Sequence, residues 1–161
     1  MQALQKINIM SPVSPNHRVS FDQLRQFIAA AMTRLGLPQA DAAVVGGLMA
    51  QADLQGSDGH GVIRLAAYAR RIRAGGINLQ PKIKVVQERA GLALLDGDNG
   101  MGHLVMQRAA EMAIVKARTG GIGWVGSRSS YHAGQGSLYA RLPLAQSILC
   151  LSCAVCTAPD L

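Results

Sequence analysis

The amino-acid sequence predicts a layered α/β fold rather than a helical bundle. Residues 20–56 have the apolar periodicity of two helices, residues 82–97 read as two short strands, and residues 102–127 read as a long helix followed by a strand. Alternating helices and strands bury their apolar faces against one another in layers. The 161 residues suffice for one domain with a buried core, because 49% of them are hydrophobic and only 16% are charged.

The amino-terminal helices carry clear start and stop signals. Residues 1–18 contain two prolines and are predicted to form a flexible leader. Ser20 and Gln23 have the spacing of a capping box, and Gly36 is a typical helix stop. A second helix is expected over residues 38–56, where proline opens the segment and glycine closes it.

The middle of the chain predicts one more helix and then strands. A third helix is expected over residues 61–74, because two glycines follow it. Residues 82–88 and 92–97 are predicted to pair as a hairpin around a turn at residues 90–91, with a bulge. The strand at residues 122–127 is apolar enough to be expected in a buried position.

The chain is basic, with a formal net charge of +7. Its arginines are scattered apart from Arg70, Arg71 and Arg73, and no zinc-finger or RNA-recognition signature accompanies the charge. Aromatic residues make up only 4% of the chain, so stacking surfaces for single-stranded nucleic acid are scarce. We therefore expect no nucleic-acid partner, and an anionic substrate or a phosphorylated cofactor accounts for the same charge.

All three cysteines, Cys150, Cys153 and Cys156, lie near the end of the sequence. Their spacing is that of a metal-binding run, but no fourth cysteine exists, so we favour small hydrophobic residues packed in a buried segment and predict no metal site. An odd number of cysteines without a disulfide framework is typical of a reducing compartment. With no apolar run of signal-peptide or membrane-spanning length, the sequence predicts a cytoplasmic protein without a membrane partner.

The segment GIGWVG matches a dinucleotide-binding fingerprint in letters only, at Gly121, Gly123 and Gly126. That fingerprint requires a strand before it and a helix opening within it, so that backbone amides point at a pyrophosphate. Here a predicted helix comes first and a strand follows. We therefore reject a Rossmann-type site at these glycines.

Two histidines lie among glycines and other small residues. If the third helix begins at His60, then Arg64, Tyr68 and Arg71 lie on the same helix face. An arginine fork can bind a carboxylate while a neighbouring imidazole exchanges a proton with the next oxygen. A solvated surface helix explains the same spacing, and a solvated loop explains His132 in SRSSYHAGQGSLYA equally well.

The segments ADLQGSDGHGVIRLAAYARRIRAGGIN and LDGDNGMGHLVMQRAAEMAIVKARTGGIGWVGSRSSYHAGQGSLYA resemble the malate/L-lactate dehydrogenase family of the second, non-Rossmann type, and the resemblance covers residues 21–141. It implies a layered mixed-sheet fold of the L-sulfolactate dehydrogenase-like type, with an amino-terminal helical segment. It also implies hydride transfer between NAD or NADP and a 2-hydroxy or 2-keto acid, carried out by a homodimer.

The resemblance further implies which residues form the site. The family's Ser-His-Gly motif falls at residues 59–61, so His60 matches a proton donor and Arg64 matches the arginine that binds the substrate carboxylate. A second motif falls at residues 130–134, where His132 matches an acid–base histidine. Because both histidines serve one substrate carbon, we expect them to face each other across a cleft. The residues expected to contact the cofactor are His132, Gly134, Gln135 and Gly136.

Two departures from the family pattern qualify this interpretation. Gly59 stands where the family has a serine that orients His60, and the last part of the chain no longer resembles the family. We divide the chain into a leader at 1–18, the amino-terminal part of an oxidoreductase domain at 19–142, and an atypical apolar, cysteine-containing tail at 143–161. The chain thus reads as a truncated or frame-shifted form without turnover of its own. The alternative is a catalytically inactive fragment that binds no cofactor.

Overall fold

The structure, a computed structural model, describes residues 18–155. Within that range five α-helices, two 3₁₀ turns and a three-stranded mixed sheet form the predicted layered α/β fold. The elements in chain order are α1 (Phe21–Arg34), α2 (Gln39–Leu54), two 3₁₀ turns (Asp58–His60 and Val62–Arg64), α3 (Leu65–Arg73), β1 (Lys84–Glu88), β2 (Leu92–Gly100), α4 (Gly102–Gly120), β3 (Trp124–Ser130) and α5 (Ser137–Leu144).

The first two helices form as predicted and build much of the core. The Ser20 hydroxyl accepts a hydrogen bond from the Gln23 backbone N–H at 3.2 Å, and the Gln23 side chain accepts one from the Ser20 backbone N–H, so the capping box is confirmed. The two helices approach closely at Gly46, because glycine has no side chain. A Cβ there would lie only 2.8 Å from the Arg25 carbonyl oxygen. Buried side chains of the core beneath them include Ile28, Met32, Val45, Met49 and Tyr68.

The sheet has β2 at its centre. β2 pairs antiparallel with β1, and the register shifts between Val85 and Gln87, so the predicted hairpin and its bulge are confirmed. On its other side β2 pairs parallel with β3, and α4 makes the crossover between them. Ala93 and Leu95 are buried on one face of β2, which packs against α4.

The prediction of a buried strand at residues 122–127 is wrong, because none of these residues is buried. Trp124 is 50% exposed and Ile122, just before β3, is 65% exposed. Among the described strands β3 pairs along one edge only, with β2, and its other edge is uncovered. An apolar sequence run cannot show how many neighbours a strand has.

The third helix is shorter than the predicted range of 61–74. The α-helix begins at Leu65, after two 3₁₀ turns. Gly61 separates these turns, because its ψ of −147° interrupts the helical path. The Val62 backbone N–H donates to the Asp53 carboxylate instead of to a helical carbonyl.

Helix α4 connects the sheet to the loop that follows β3. It is capped by Gly121, whose φ of 80° is left-handed, and β3 begins at Trp124. A helix therefore precedes the GIGWVG segment and a strand begins within it, as the rejection of a Rossmann-type site assumed. The buried Lys116 ammonium donates to the Glu88 carboxylate and to the Arg89 carbonyl, both at 2.8 Å, and so ties α4 to the hairpin.

The end of the chain contradicts the sequence interpretation of the cysteines. Cys150 and Cys153 are exposed rather than packed, because residues 145–155 form no helix or strand that could bury them. Cys156 lies outside the described residues, as does nearly all of the predicted leader at 1–18. In the described part of the chain, no helix is long and apolar enough to cross a membrane, and no group of three metal-ligating side chains is clustered.

Candidate active site

His60 and His132 stack on each other. Their ring centroids lie 5.4 Å apart and their planes differ by 7°. His60 ends the first 3₁₀ turn, and His132 lies in the loop after β3, so two distant segments supply the pair. The predicted approach of the two histidines is confirmed. Because the rings are so close, a positive charge on His60 disfavours a positive charge on His132.

The His132 ring is held by two hydrogen bonds at one nitrogen. The Tyr68 hydroxyl lies 2.7 Å from Nδ1 of His132, and the Gly134 backbone N–H donates to the same nitrogen at 3.3 Å. An Nδ1 that accepts from a backbone N–H carries no proton, so we assign the proton of neutral His132 to Nε2. Burial raises the pKa of Tyr68, so the phenol keeps its proton and can donate a hydrogen bond to Nδ1.

The positive charge of Arg64 acts on His132. Burial, followed by the charges of Arg64 and His60, lowers the pKa of His132 below the usual value of 6.5. Arg64 donates through Nε to the Gly59 carbonyl oxygen at 2.7 Å. That bond fixes the side chain and leaves Nη1 and Nη2 to bind an anion, because guanidinium carries five donor hydrogens. The geometry is that of a half-buried cation next to an acid–base group.

His103 is a member of the cluster that the sequence interpretation missed. It lies in the first turn of α4, is fully buried, and has no hydrogen-bond partner at either ring nitrogen in the described part of the chain. Burial, followed by the charges of His132 and His60, lowers its pKa to about 3. Its ring meets the Tyr68 ring edge-on, 5.8 Å between centroids. Helical periodicity marks the residue as part of an ordinary helix, and only the tertiary contacts connect it to the site.

The loop that carries His132 rests directly on the start of α4. A Cβ at Gly102 would lie 2.1 Å from the Tyr131 carbonyl oxygen and 2.7 Å from the Ala133 backbone. The Tyr139 hydroxyl donates to the Ala133 carbonyl from the other side. Gly134 has a φ of 76°, which favours glycine. The backbone on both sides of His132 is therefore fixed.

The remaining predicted residues lie further along the same loop. Gln135 and Gly136 precede α5, where the Ser137 hydroxyl donates to the Gln55 side-chain oxygen at 3.3 Å. The Gln55 Nε2 donor and the Gln135 Oε1 acceptor are both buried without a partner among residues 18–155. Buried polar groups usually have partners, so each of these two atoms is a candidate to bond a polar group of a ligand. Of the predicted residues, His60, His132, Arg64 and Gly134 form one cluster, and Gln135 and Gly136 continue from it.

Comparison with known protein families identifies the family of this chain. Residues 19–159 match the model of the malate/L-lactate dehydrogenase family. The chain belongs to this family. The resemblance seen in the sequence is therefore confirmed.

Individual relatives support this assignment. A malate dehydrogenase from Pyrococcus abyssi is 42% identical over 135 residues, which are 84% of this chain and 37% of the relative. An L-sulfolactate dehydrogenase from Methanocaldococcus jannaschii is 34% identical and is matched over 36% of its length. The structure of malate dehydrogenase from Pyrococcus horikoshii OT3 superposes with a TM-score of 0.80, over 85% of this chain and 40% of that one. The chain thus spans well under half the length of these relatives.

Gly59 stands where the sequence resemblance implies a serine. A Cβ at this position would meet nothing within 4 Å, so the backbone has room for a side chain. In this chain Gly59 offers no hydroxyl, and Nδ1 of His60 is buried without a hydrogen-bond partner in the described part of the chain. The ring of His60 is therefore placed by its backbone and by stacking alone.

Proposed function

We propose that this chain supplies the acid–base and carboxylate-binding side of an NAD- or NADP-dependent oxidoreductase that acts on 2-hydroxy acids and the corresponding 2-keto acids. The observation that carries the proposal is the stacked pair of His60 and His132 beside the Arg64 guanidinium. The names of the relatives support it, because malate and sulfolactate are both 2-hydroxy acids.

Arg64 is proposed to bind the carboxylate of the acid. Its Nε is already bonded to the Gly59 carbonyl, so the two terminal nitrogens can grip both carboxylate oxygens without further ordering of the side chain. A carboxylate held there brings the neighbouring C2 oxygen toward the stacked imidazoles. Positioning of this kind supplies much of the rate enhancement when two reacting groups must meet.

During reduction His132 is proposed to pass a proton from Nε2 of its imidazolium form to the C2 oxygen. The neutral ring then keeps its remaining proton on Nδ1 instead of the resting position on Nε2. Its lowered pKa makes the imidazolium a ready proton donor to a keto oxygen during reduction. A bound carboxylate offsets the charge of Arg64, which is one cause of that lowering, so binding of the acid favours uptake of the proton that is then delivered. The Tyr68 hydroxyl can donate to unprotonated Nδ1 or accept from protonated Nδ1, so it holds the ring in both states.

The residues near α5 fit the polar head of a nicotinamide cofactor. A carboxamide both donates and accepts hydrogen bonds, which complements the unpartnered Gln135 acceptor and Gln55 donor. The bound cofactor would supply or accept the hydride, and His132 is proposed to lie against it.

The test measures cofactor binding and turnover separately. The full chain is titrated with NADH and with NADPH by fluorescence, and absorbance then follows cofactor oxidation with a panel of 2-keto acids. We expect this chain to bind the cofactor, and we expect the complete protein to oxidise the cofactor in a reaction that disappears in His132→Ala while binding remains. If the full chain neither binds nor oxidises either cofactor, the inactive-fragment alternative replaces this proposal.

We also propose that the complete protein assembles as a homodimer, as the family resemblance implies. Sedimentation equilibrium measures the mass directly. A monomeric mass across the micromolar range would contradict the proposed assembly.

A further inference from the structure

One carboxylate from α2 holds the segment that presents both His60 and Arg64. Asp53, in the last turn of α2, accepts a hydrogen bond from the Val62 backbone N–H at 2.7 Å. Val62 lies between the two functional residues in sequence. The bond is charge-assisted, and it replaces the helical bond that the extended Gly61 does not allow.

The Asp53 carboxylate lies directly against the backbone of Gly61. A Cβ at Gly61 would lie 1.9 Å from Oδ1 of Asp53 and 2.4 Å from Oδ2. Gly61 is buried and Asp53 is half-buried. The absence of a side chain at Gly61 is therefore what lets the carboxylate reach the Val62 N–H.

A second bond closes the same segment from within. Arg64 donates to the Gly59 carbonyl oxygen at 2.7 Å, so the backbone from Gly59 to Arg64 is tied at two points. No hydrogen bond holds the His60 ring at Nδ1 within the described residues, and Gly59 has no side chain with which to orient it. The position of His60 thus depends on the backbone that Asp53 anchors.

We propose that Asp53 is a positioning residue of the site. It acts through the Val62 N–H, and it fixes the segment so that His60 stacks on His132 and the Arg64 fork meets the substrate carboxylate. The kinetic part of this proposal rests on the proposed function, but the structural part does not.

The direct test measures the segment itself. In the full chain, 1H–15N spectra and amide exchange report the Val62 N–H, and 1H–13C spectra report the His60 ring. Asp53→Ala should move the Val62 amide resonance upfield, speed its exchange, and change the His60 ring shifts. Asp53→Asn, which keeps an oxygen acceptor, should retain most of the parent pattern. Unchanged Val62 and His60 signals in Asp53→Ala would overturn the proposal whether or not the protein is an enzyme.

The kinetic test separates positioning from general stability. Asp53→Ala should lower kcat/KM for the acid about 100-fold, the loss expected from a misplacement near 1 Å, while the Kd of the cofactor stays near the parent value. Asp58→Ala, at an exposed aspartate of the same segment, is the matched control and should behave like the parent. An equal loss of affinity for acid and cofactor in Asp53→Ala would reduce Asp53 to a structural residue.

Gly61→Ala provides an independent second variant, because its methyl group displaces the Asp53 carboxylate. The double variant Asp53→Ala/Gly61→Ala should be no worse than the Gly61→Ala single variant, since both changes remove one contact. Additive losses would mean that the two residues act separately and would contradict the proposal.

Discussion

The two histidines of the site are held in opposite ways. His132 has a fixed ring, because Tyr68 and Gly134 both bond its Nδ1, and its loop rests against α4 at Gly102. His60 has a fixed backbone but a ring whose Nδ1 is without a hydrogen bond in the described part of the chain. A ring with a defined tautomer is suited to exchange a proton at one specified atom. A ring placed only by stacking can adjust to the acid that binds.

The largest effect should come from removing the fixed ring. His132→Ala should lower kcat by about 10²–10⁴-fold, the usual contribution of a positioned general acid, and His60→Ala should cost less. Single-turnover rates of both variants, measured with saturating cofactor, make the comparison. If His60→Ala is the more damaging change, the roles of the two rings are reversed.

The next largest effect should come from displacing the loop beneath His132. Gly102→Ala should destabilise the fold by about 1–3 kcal/mol, because its Cβ would overlap the Tyr131 carbonyl. The same shift should lower kcat/KM by about 100-fold if His132 moves near 1 Å. Gly120→Ala, in the same helix, is the control, since its Cβ would meet nothing within 4 Å. Urea denaturation and kinetics measure both variants, and equal behaviour would show that the loop is not seated on α4.

A smaller effect should separate the charge of Arg64 from its fork. Arg64→Lys should raise KM for the acid about 10- to 100-fold, the worth of one charge-assisted hydrogen bond, with the KM of the cofactor little changed. It should leave the pKa of His132 low, because the positive charge remains. Arg64→Gln should raise the pKa of His132, because one cause of the lowering is removed. NMR titration of the His132 ring measures this, and an equal pKa in both variants would remove Arg64 from the site.

The smallest effect near neutral pH concerns His103 and the stability of the fold. Its pKa is about 3 when folded and near the usual 6.5 when unfolded, so the unfolded chain binds more protons between these values. Its contribution to stability is complete above pH 6.5 and declines as the pH falls toward 3, by up to about 1.4 kcal/mol per pH unit. Urea denaturation at several pH values should show a weaker pH dependence in His103→Leu. An identical dependence would mean that the folded protein accommodates the charged ring.

Local signals in the sequence predicted the local structure well. The capping box at Ser20 and Gln23 and the hairpin around residues 90–91 depend on neighbours within a few positions, and both are confirmed. The predicted start of the third helix was wrong, because Gly61 and the distant Asp53 carboxylate override helical propensity there.

The site itself could be predicted only in part. Residue spacing placed Arg64 and Tyr68 on one face, but the bond from the Tyr68 hydroxyl to His132 joins segments that no periodicity relates. The pairing of the two histidines came from resemblance to a family rather than from spacing. His103 and Asp53 were missed because a buried side chain with tertiary contacts looks, in sequence, like any other helical residue.

The bond between Tyr68 and His132 also has a consequence for folding. It joins residues 64 positions apart, one from the helical layer and one from the loop that follows the sheet. The α1–α2 pair and the β1–β2 hairpin join neighbouring segments and can form early, whereas a contact of this separation forms only once the layers dock. A folding intermediate with one layer formed would therefore lack the site entirely. The ring signal of His132 in a refolding experiment should report the last cooperative step, when the two layers close on each other.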